Sequence, residues 1–223
     1  NLIILKYVEG KRINKITAKN ISQAINFLAK LHEMSKKIYN YQYATEACLK
    51  ANDLIDQIDI RLKNLDSVDN KDIRKTLKKL TKLYIELKNR AYDMWPEDNI
   101  EKNLNRKFLT FSPSDFGFHN AIIDKNKYVT FIDFEYFGLD DPVKLLSDFL
   151  WHPALSLTTK QKILFTKEFF KIFENDYLLK KRLNAAYSLY GVRWCLIILN
   201  KVLKINFTTK NLYKNSKLIN FEQ

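Results

Sequence analysis

Three polar side chains in the middle of the chain have the types and spacing of a cation-binding site. Asp115 is followed five positions later by Asn120, and Asp133 lies 13 positions beyond Asn120. Hard divalent cations such as Mg²⁺ prefer carboxylate and amide oxygens, and they take few of them from protein because they keep water and bind phosphate. Two of these groups could therefore hold a metal, while a third is left to orient a hydroxyl group.

The residues around these three are acidic, although the protein is basic. The segment 107–152 contains seven carboxylates against four lysines, whereas the whole chain of 223 residues carries a formal charge of +13. A locally acidic segment in a basic protein is where a cation would concentrate. The segment 108–142 is therefore the candidate site.

A predicted β-hairpin brings the three side chains together. Residues 121–123 and 128–132 are β-branched or aromatic runs joined by a polar turn, which is typical of two antiparallel strands. If Asp124 pairs near Tyr128, Asn120 lies beside Ile132 and therefore beside Asp133. Asp115 lies in the loop that leads into the same end of the hairpin.

The remainder of the chain has a helical pattern. Asn20 with Gln23 three residues later predicts an N-cap and a helix that ends near Ser35, and Asp66–Asn70 predicts the turn of a helical hairpin. The predicted helices after the first are 41–65, 71–95, 143–150, 159–174 and 178–204, with 108–111 as an additional strand and no prediction for 205–223. The fold class is therefore α+β and mostly helical.

Composition excludes some classes of protein. No run approaches the roughly 18 apolar residues of a membrane span, which argues against a membrane partner. The lysines are spread among acidic residues rather than clustered, which disfavours nucleic acid as a partner. Cys48 and Cys195, both in apolar helical patterns, are interpreted as buried thiols, and the chain as cytoplasmic.

The motif Asp115 to Asn120, a short hairpin and then Asp133-Phe134 has the layout of the catalytic loop and metal-binding Asp-Phe of protein kinases. Together with Leu31-His32 and Asp140-Asp141-Pro142, it resembles the C-terminal lobe of the aminoglycoside phosphotransferase and choline kinase-like family, which has a protein-kinase-like fold. The resemblance implies a hinge-like segment at 1–10 and a helical C-terminal lobe at 11–223, with the catalytic loop and metal-binding hairpin at 108–142.

The resemblance also implies roles. Asp115 would be the catalytic base, and Asn120 and Asp133 the Mg²⁺ ligands. Glu135 would contact substrate or metal-bound water. The backbone at Lys6, Tyr7 and Val8 would contact the adenine of ATP, or the base of GTP. The expected activity is phosphate transfer from the nucleotide to a hydroxyl of a small molecule, such as a sugar, a choline-like alcohol or an aminoglycoside.

Two features depart from the family pattern. Pro113 stands where the family usually has a histidine, two residues before the catalytic aspartate, and no Gly-rich loop is found among the four glycines. We expect from the second feature that an N-terminal lobe is missing from this chain, and that the chain alone binds nucleotide poorly and is inactive.

Alternatives remain open at this point. A catalytically silent kinase-like binding module and a basic nucleic-acid-binding helical domain are the competing functions. His119 could point toward the site or away from it, and His152 is interpreted as a helix terminus. His32 is expected to be a packed residue, Asp140 and Asp141 to cap the next helix, and Asp148 to be a buried hydrogen-bonding partner of the loop. A cationic acceptor would need acidic or aromatic lining, which Glu97, Asp98 and Glu101 or the aromatic residues of 187–194 could provide.

Overall fold

The computed structural model describes residues 7–38, 40–66, 68–96, 100–154 and 157–219. Within these ranges the protein is α+β and mostly helical, as predicted. In chain order the elements are β1 (Lys11–Arg12), α1 (Ala18–Lys37), α2 (Ala51–Asp66), α3 (Lys71–Met94), β2 (Thr110–Ser112), β3 (Ala121–Ile123), β4 (Val129–Phe131), β5 (Gly138–Asp140), α4 (Pro142–Trp151), α5 (Thr159–Ile172) and α6 (Leu179–Ile219).

Helix α1 begins earlier than predicted. Its N-cap is Thr17, whose hydroxyl accepts from the backbone N–H of Asn20, while the Asn20 side chain accepts from the backbone N–H of Thr17. Asn20 is thus the third residue of a capping box and not the cap itself. Gln23 instead reaches the β-hairpin, where it donates to the Lys127 carbonyl and accepts from the Val129 N–H.

The prediction of a helix over 41–65 was wrong for residues 41–50, since α2 begins at Ala51. Residues 42–44 are extended because they pair with β5: the Ala44 N–H donates to the Leu139 carbonyl at 3.0 Å, and the Leu139 N–H donates to the Gln42 carbonyl at 2.9 Å. A Cβ on Gly138 would lie 2.3 Å from the Ala44 nitrogen, so glycine is needed for this approach. Helices α2 and α3 then form the predicted pair, and both pack against α6.

Two small antiparallel sheets hold the acidic segment. One has the order β1-β3-β4 and the other pairs β2 with β5. The predicted hairpin register is confirmed, since Ala121 pairs with Phe131 and the Ile132 N–H donates to the Asn120 carbonyl at 2.9 Å. Strands β1 and β5 are two and three residues long, and sequence reasoning missed both.

An aromatic cluster fixes the loop between β2 and β3. Phe116 is 3% exposed, and its ring lies 5.8 Å from that of Phe27, 4.7 Å from Phe131 and 5.4 Å from Phe149. These rings come from α1, β4 and α4, so the residue after Asp115 is anchored to three elements. The position of Asp115 is thereby set by the core.

Other predictions about single residues had mixed outcomes. Cys48 is buried but lies before α2, whereas Cys195 is exposed, so the prediction of two buried helical thiols was wrong. His32 is buried and its ring lies 4.4 Å from that of Phe173, which confirms that it is a packed residue. Among the described residues, no helix combines the length and apolarity that crossing a bilayer requires.

Candidate active site

Asp115 is held by donors from three directions. The Asn120 side-chain amide donates to its Oδ2 at 3.2 Å and to its backbone carbonyl at 3.0 Å. Its Oδ1 lies 3.1 Å from His119 Nε2 and 3.3 Å from His152 Nε2. These hydrogen bonds, from His119 first and then His152, hold the pKa of the Asp115 carboxyl well below its usual range. The group is therefore a carboxylate with a fixed orientation.

The proton of His152 can be assigned from its neighbours. Its Nδ1 accepts from the Ala154 backbone N–H at 3.1 Å, so in the neutral ring the proton is on Nε2, which faces Asp115. His119 and His152 stack with centroids 3.8 Å apart and planes 7° apart. The ligand-type atoms of the two histidines and Asp115 lie within 4.8 Å of one another, but a protonated Nε2 donates a hydrogen bond and does not ligate metal.

The sequence analysis did not predict that either histidine contacts Asp115. His152 is the C-cap of α4, which confirms it as a helix terminus, yet it also reaches a residue 37 positions earlier. No local pattern signals that contact. The sequence does not decide the orientation of His119, and in the structure its ring points toward the site. Gly117 leaves room for this ring, since a Cβ at that position would lie 2.6 Å from His119 Nδ1.

Asn120 and Asp133 both lie at the open end of the hairpin. The backbone bond between Ile132 and Asn120 places Asp133 one residue beyond the pair. Asp133 is exposed, and neither a hydrogen bond nor an ion pair to its carboxylate is found among the described residues. Glu135 is also exposed, and its hydrogen bond raises the pKa of the Tyr136 hydroxyl. Two free oxygens, one neutral and one charged, thus lie next to the loop that carries Asp115.

Left-handed backbone concentrates around these residues. Ser114, Asp133 and Glu46 have φ values of 63°, 68° and 57°, a conformation that costs a side-chain-bearing residue about 1 kcal/mol or more. Ser114 directly precedes Asp115, and its hydroxyl lies 3.5 Å from the Thr45 carbonyl. Such strain persists only where the surroundings enforce it, and it clusters at functional sites.

A cleft of about 650 Å³ opens beside Asp115. Ser114, Asp115 and His152 form one part of its lining, and residues of α6, among them Arg193 and Trp194, form another. The volume is in the range of pockets that take small molecules. Asp115 therefore belongs both to the cleft lining and to the loop that leads to the candidate metal ligand Asn120.

Three further carboxylates of the segment 107–152, Asp140, Asp141 and Asp148, are buried and paired with cations. Asp141 caps α4 by accepting from the Val143 N–H at 2.9 Å, as predicted, and it also binds Arg182 at 3.1 Å. Asp140, also predicted as a cap, instead accepts from the Cys48 N–H at 2.9 Å and lies 3.0 Å from Lys144 Nζ. Asp148 accepts from Arg193 at 3.0 Å and from the Trp194 indole at 2.9 Å. Asp148 is buried as predicted, but its hydrogen-bonding partners are side chains of α6 and not the loop.

Some of the residues predicted to contact the nucleotide or to line an acidic acceptor site lie outside the described ranges. Lys6 lies outside the described residues, as do Glu97 and Asp98. Tyr7 is 84% exposed and Val8 is half-buried. Glu101 is paired with Lys50 and does not line the cleft. A scan against protein-family models gives no match for this chain, and a search of curated proteins gives none either.

Proposed function

We propose that this protein transfers the γ-phosphate of ATP or GTP to a hydroxyl of a small molecule in a Mg²⁺-dependent reaction, and that it has the C-terminal lobe of a protein-kinase-like, aminoglycoside phosphotransferase-type fold. The observation that carries the proposal is that Asp115, Asn120 and Asp133 lie at one end of the hairpin. Asp115 and Asn120 share a hydrogen bond at 3.2 Å, and the register places Asp133 one residue beyond the backbone partner of Asn120.

The donor set fits magnesium. The Asn120 amide nitrogen is used on Asp115, and its Oδ1 accepts no hydrogen bond within the described part of the chain. With the Asp133 carboxylate it supplies one neutral and one charged oxygen, which suits a cation that completes its shell with water and phosphate. When bound, the ion would screen the negative charge of the nucleotide phosphates.

Asp115 would orient the acceptor hydroxyl by accepting its hydrogen bond at the mouth of the cleft. Because three side-chain donors already stabilise the carboxylate, it is a weak base, and it would take the hydroxyl proton only late, when bonding to phosphorus has made that proton acidic. His119 and His152 keep Asp115 in place during this step. Proximity and orientation, rather than base strength, would supply the rate.

The register of β1 does not support a nucleotide base beside the metal ligands. Lys11 and Arg12 pair antiparallel with Ile123 and Ile122 of β3, so the residues before Lys11 lie toward the hairpin turn. Asn120 lies at the opposite end of β3. The predicted contacts of Tyr7 and Val8 with the base are therefore not part of the proposal.

A cytoplasmic location is part of the proposal, since both cysteines are free thiols and a reducing compartment keeps them so. Nucleic acid is not a proposed partner, because the lysines are interspersed with acidic residues and form no long run of like charges. A strong salt dependence of binding to DNA or RNA would argue for the basic-domain alternative.

The test is ATP turnover with Mg²⁺ across sugars, choline-like alcohols and aminoglycosides, measured on the longest natural form of the protein that contains these residues. We expect acceptor-stimulated turnover that falls by roughly 10²–10⁴ in Asp115→Asn. Asp124→Asn, in the hairpin turn, is the matched control and should keep full activity. Equal turnover in wild type and Asp115→Asn would contradict the proposal, and binding of nucleotide and metal without turnover for any acceptor would favour the silent module.

A further inference from the structure

Two of the three carboxylates that line the cleft within the described ranges are paired with cations. Glu46 binds Arg61 at 2.6 Å and Arg193 at 2.7 Å. Asp148 binds Arg193 at 3.0 Å and lies 3.4 Å from Lys144. Together with Asp115 and its histidines, these pairs account for every carboxylate that lines the cleft within the described ranges.

Lys201 is the exception. It follows Trp194, Ile197 and Ile198 at helical spacing on the face of α6 that lines the cleft. It is exposed, and no hydrogen bond or ion pair to its ammonium group is found among the described residues. The charge that the cleft leaves without a partner is therefore positive.

We infer that the acceptor carries an anionic group, a carboxylate or a phosphate, that pairs with Lys201 while its reacting hydroxyl lies against Asp115; this inference rests on the proposed function. Apart from Asp115, which the reacting hydroxyl occupies, a cationic acceptor would find no carboxylate on the cleft wall that is not already paired with a cation. To obtain one it would have to separate Glu46 from two guanidinium groups, or Asp148 from Arg193 and Lys144, and leave buried cations without partners.

The aromatic lining of the cleft, within the described ranges, consists of Tyr136 and Trp194. The Trp194 indole N–H is bonded to Asp148 at 2.9 Å, and its ring lies 4.7 Å from His152 at 76°. Trp194 is therefore fixed as part of the wall by polar contacts on two sides. A quaternary ammonium group over its face, held by cation–π attraction, is the competing arrangement that the experiment must separate.

The test compares one sugar ring in four charge states, together with choline. Binding of glucose, glucosamine, glucuronate and glucose 1-phosphate is measured by saturation-transfer NMR and calorimetry, for wild type, Lys201→Gln and Lys167→Gln. We expect glucuronate or glucose 1-phosphate to bind roughly tenfold tighter than glucose, as a charge-assisted hydrogen bond provides, and glucosamine to bind more weakly than glucose. The stronger of the two anions identifies which group the acceptor carries.

The variants test whether Lys201 causes the preference for anionic sugars. The anion preference should fall to about onefold in Lys201→Gln and stay unchanged in Lys167→Gln, an exposed lysine of α5 outside the cleft lining. Tightest binding by glucosamine or choline, an anion preference that survives in Lys201→Gln, or no binding by any probe would overturn the inference. Failure of the proposed function itself is tested separately, because Mn²⁺ would then not bind at Asn120 and Asp133.

Discussion

The carboxylates of the acidic segment fall into two groups that occupy different environments. Asp140, Asp141 and Asp148 are at most 5% exposed, and each is bound to a buried Lys or Arg. Asp133 is exposed without a partner among the described residues, on left-handed backbone. Each member of the first group is ion-paired inside the protein, whereas Asp133 is positioned at a cost and left free.

This difference is the one we expect between carboxylates that stabilise the fold and carboxylates that bind a ligand. A buried carboxylate must be paired, because desolvation makes an isolated charge very costly. A carboxylate that binds a ligand must instead leave oxygens available. Asp115 is intermediate, since three donors orient it while its side chain is 40% exposed beside the cleft. The predictions below test whether the two groups respond as differently as their surroundings imply.

The largest effect is expected from removing the cation that the structural group shares. Lys144→Met leaves Asp140 and Asp148 without the ammonium group that lies 3.0 and 3.4 Å away, and we expect it to lower the free energy of unfolding by about 3–5 kcal/mol. Lys160→Met, at an exposed position of α5, should change it by less than about 0.5 kcal/mol. Urea denaturation measures both, and a loss below about 1 kcal/mol in Lys144→Met would remove the distinction between the groups.

Asp133→Asn should show the opposite pattern. We expect turnover to fall by roughly 10²–10³, since a charged oxygen next to the phosphates is lost, while the free energy of unfolding stays within about 0.5 kcal/mol of wild type. Asp148→Asn is the matched variant, and it should lose stability because Arg193 and Lys144 lose a buried partner. If both variants lose stability equally, Asp133 belongs with the structural acids.

His32 tests what burial does to a polar group that has no partner. It is 6% exposed, its Nδ1 has no hydrogen bond within the described chain, and burial lowers its pKa to about 4 from 6.5. The unfolded chain therefore binds more protons between these values, and the stabilising effect is complete above pH 6.5 and lost as pH falls toward 4. We expect the free energy of unfolding to drop by about 2 kcal/mol from pH 7.5 to 5 through this residue.

His32→Leu should remove that part of the pH dependence. The measurement is urea denaturation of both proteins at the two pH values. A drop of the same size in wild type and His32→Leu would show that another group is responsible.

The smallest effect is expected from loosening Asp115 without removing it. His152→Ala deletes one donor to Oδ1 and should lower kcat about tenfold with little change in KM. His152→Gln keeps a side-chain N–H donor and should recover part of the loss. A change confined to KM would indicate that His152 serves the cleft wall instead of positioning Asp115.

Local sequence patterns predicted the parts of the fold whose causes are local. The hairpin register follows from two short apolar runs and one polar turn. These features are sufficient to predict that Asn120 and Asp133 lie at the same end of the hairpin. Helix α3 and the start of α5 followed from periodicity and capping residues. These elements depend on neighbours within a few positions.

The missed features depend on contacts between distant parts of the chain. Residues 42–44 are extended because β5, nearly 100 positions later, supplies backbone partners, although their sequence pattern suits a helix. The contact between His152 and Asp115 exists because α4 ends beside the loop. Neither partner carries a local signal of the other, so only the tertiary structure reveals these pairings.

The most direct test of the central claim is a Mn²⁺ titration of the isotope-labelled chain, followed by paramagnetic broadening of backbone amide signals. The account predicts that broadening centres on residues 120 and 133, leaves 141 and 148 sharper, and disappears in Asp133→Asn. Broadening that is absent, or that is unchanged by Asp133→Asn, would contradict the assignment of Asn120 and Asp133 as the metal ligands.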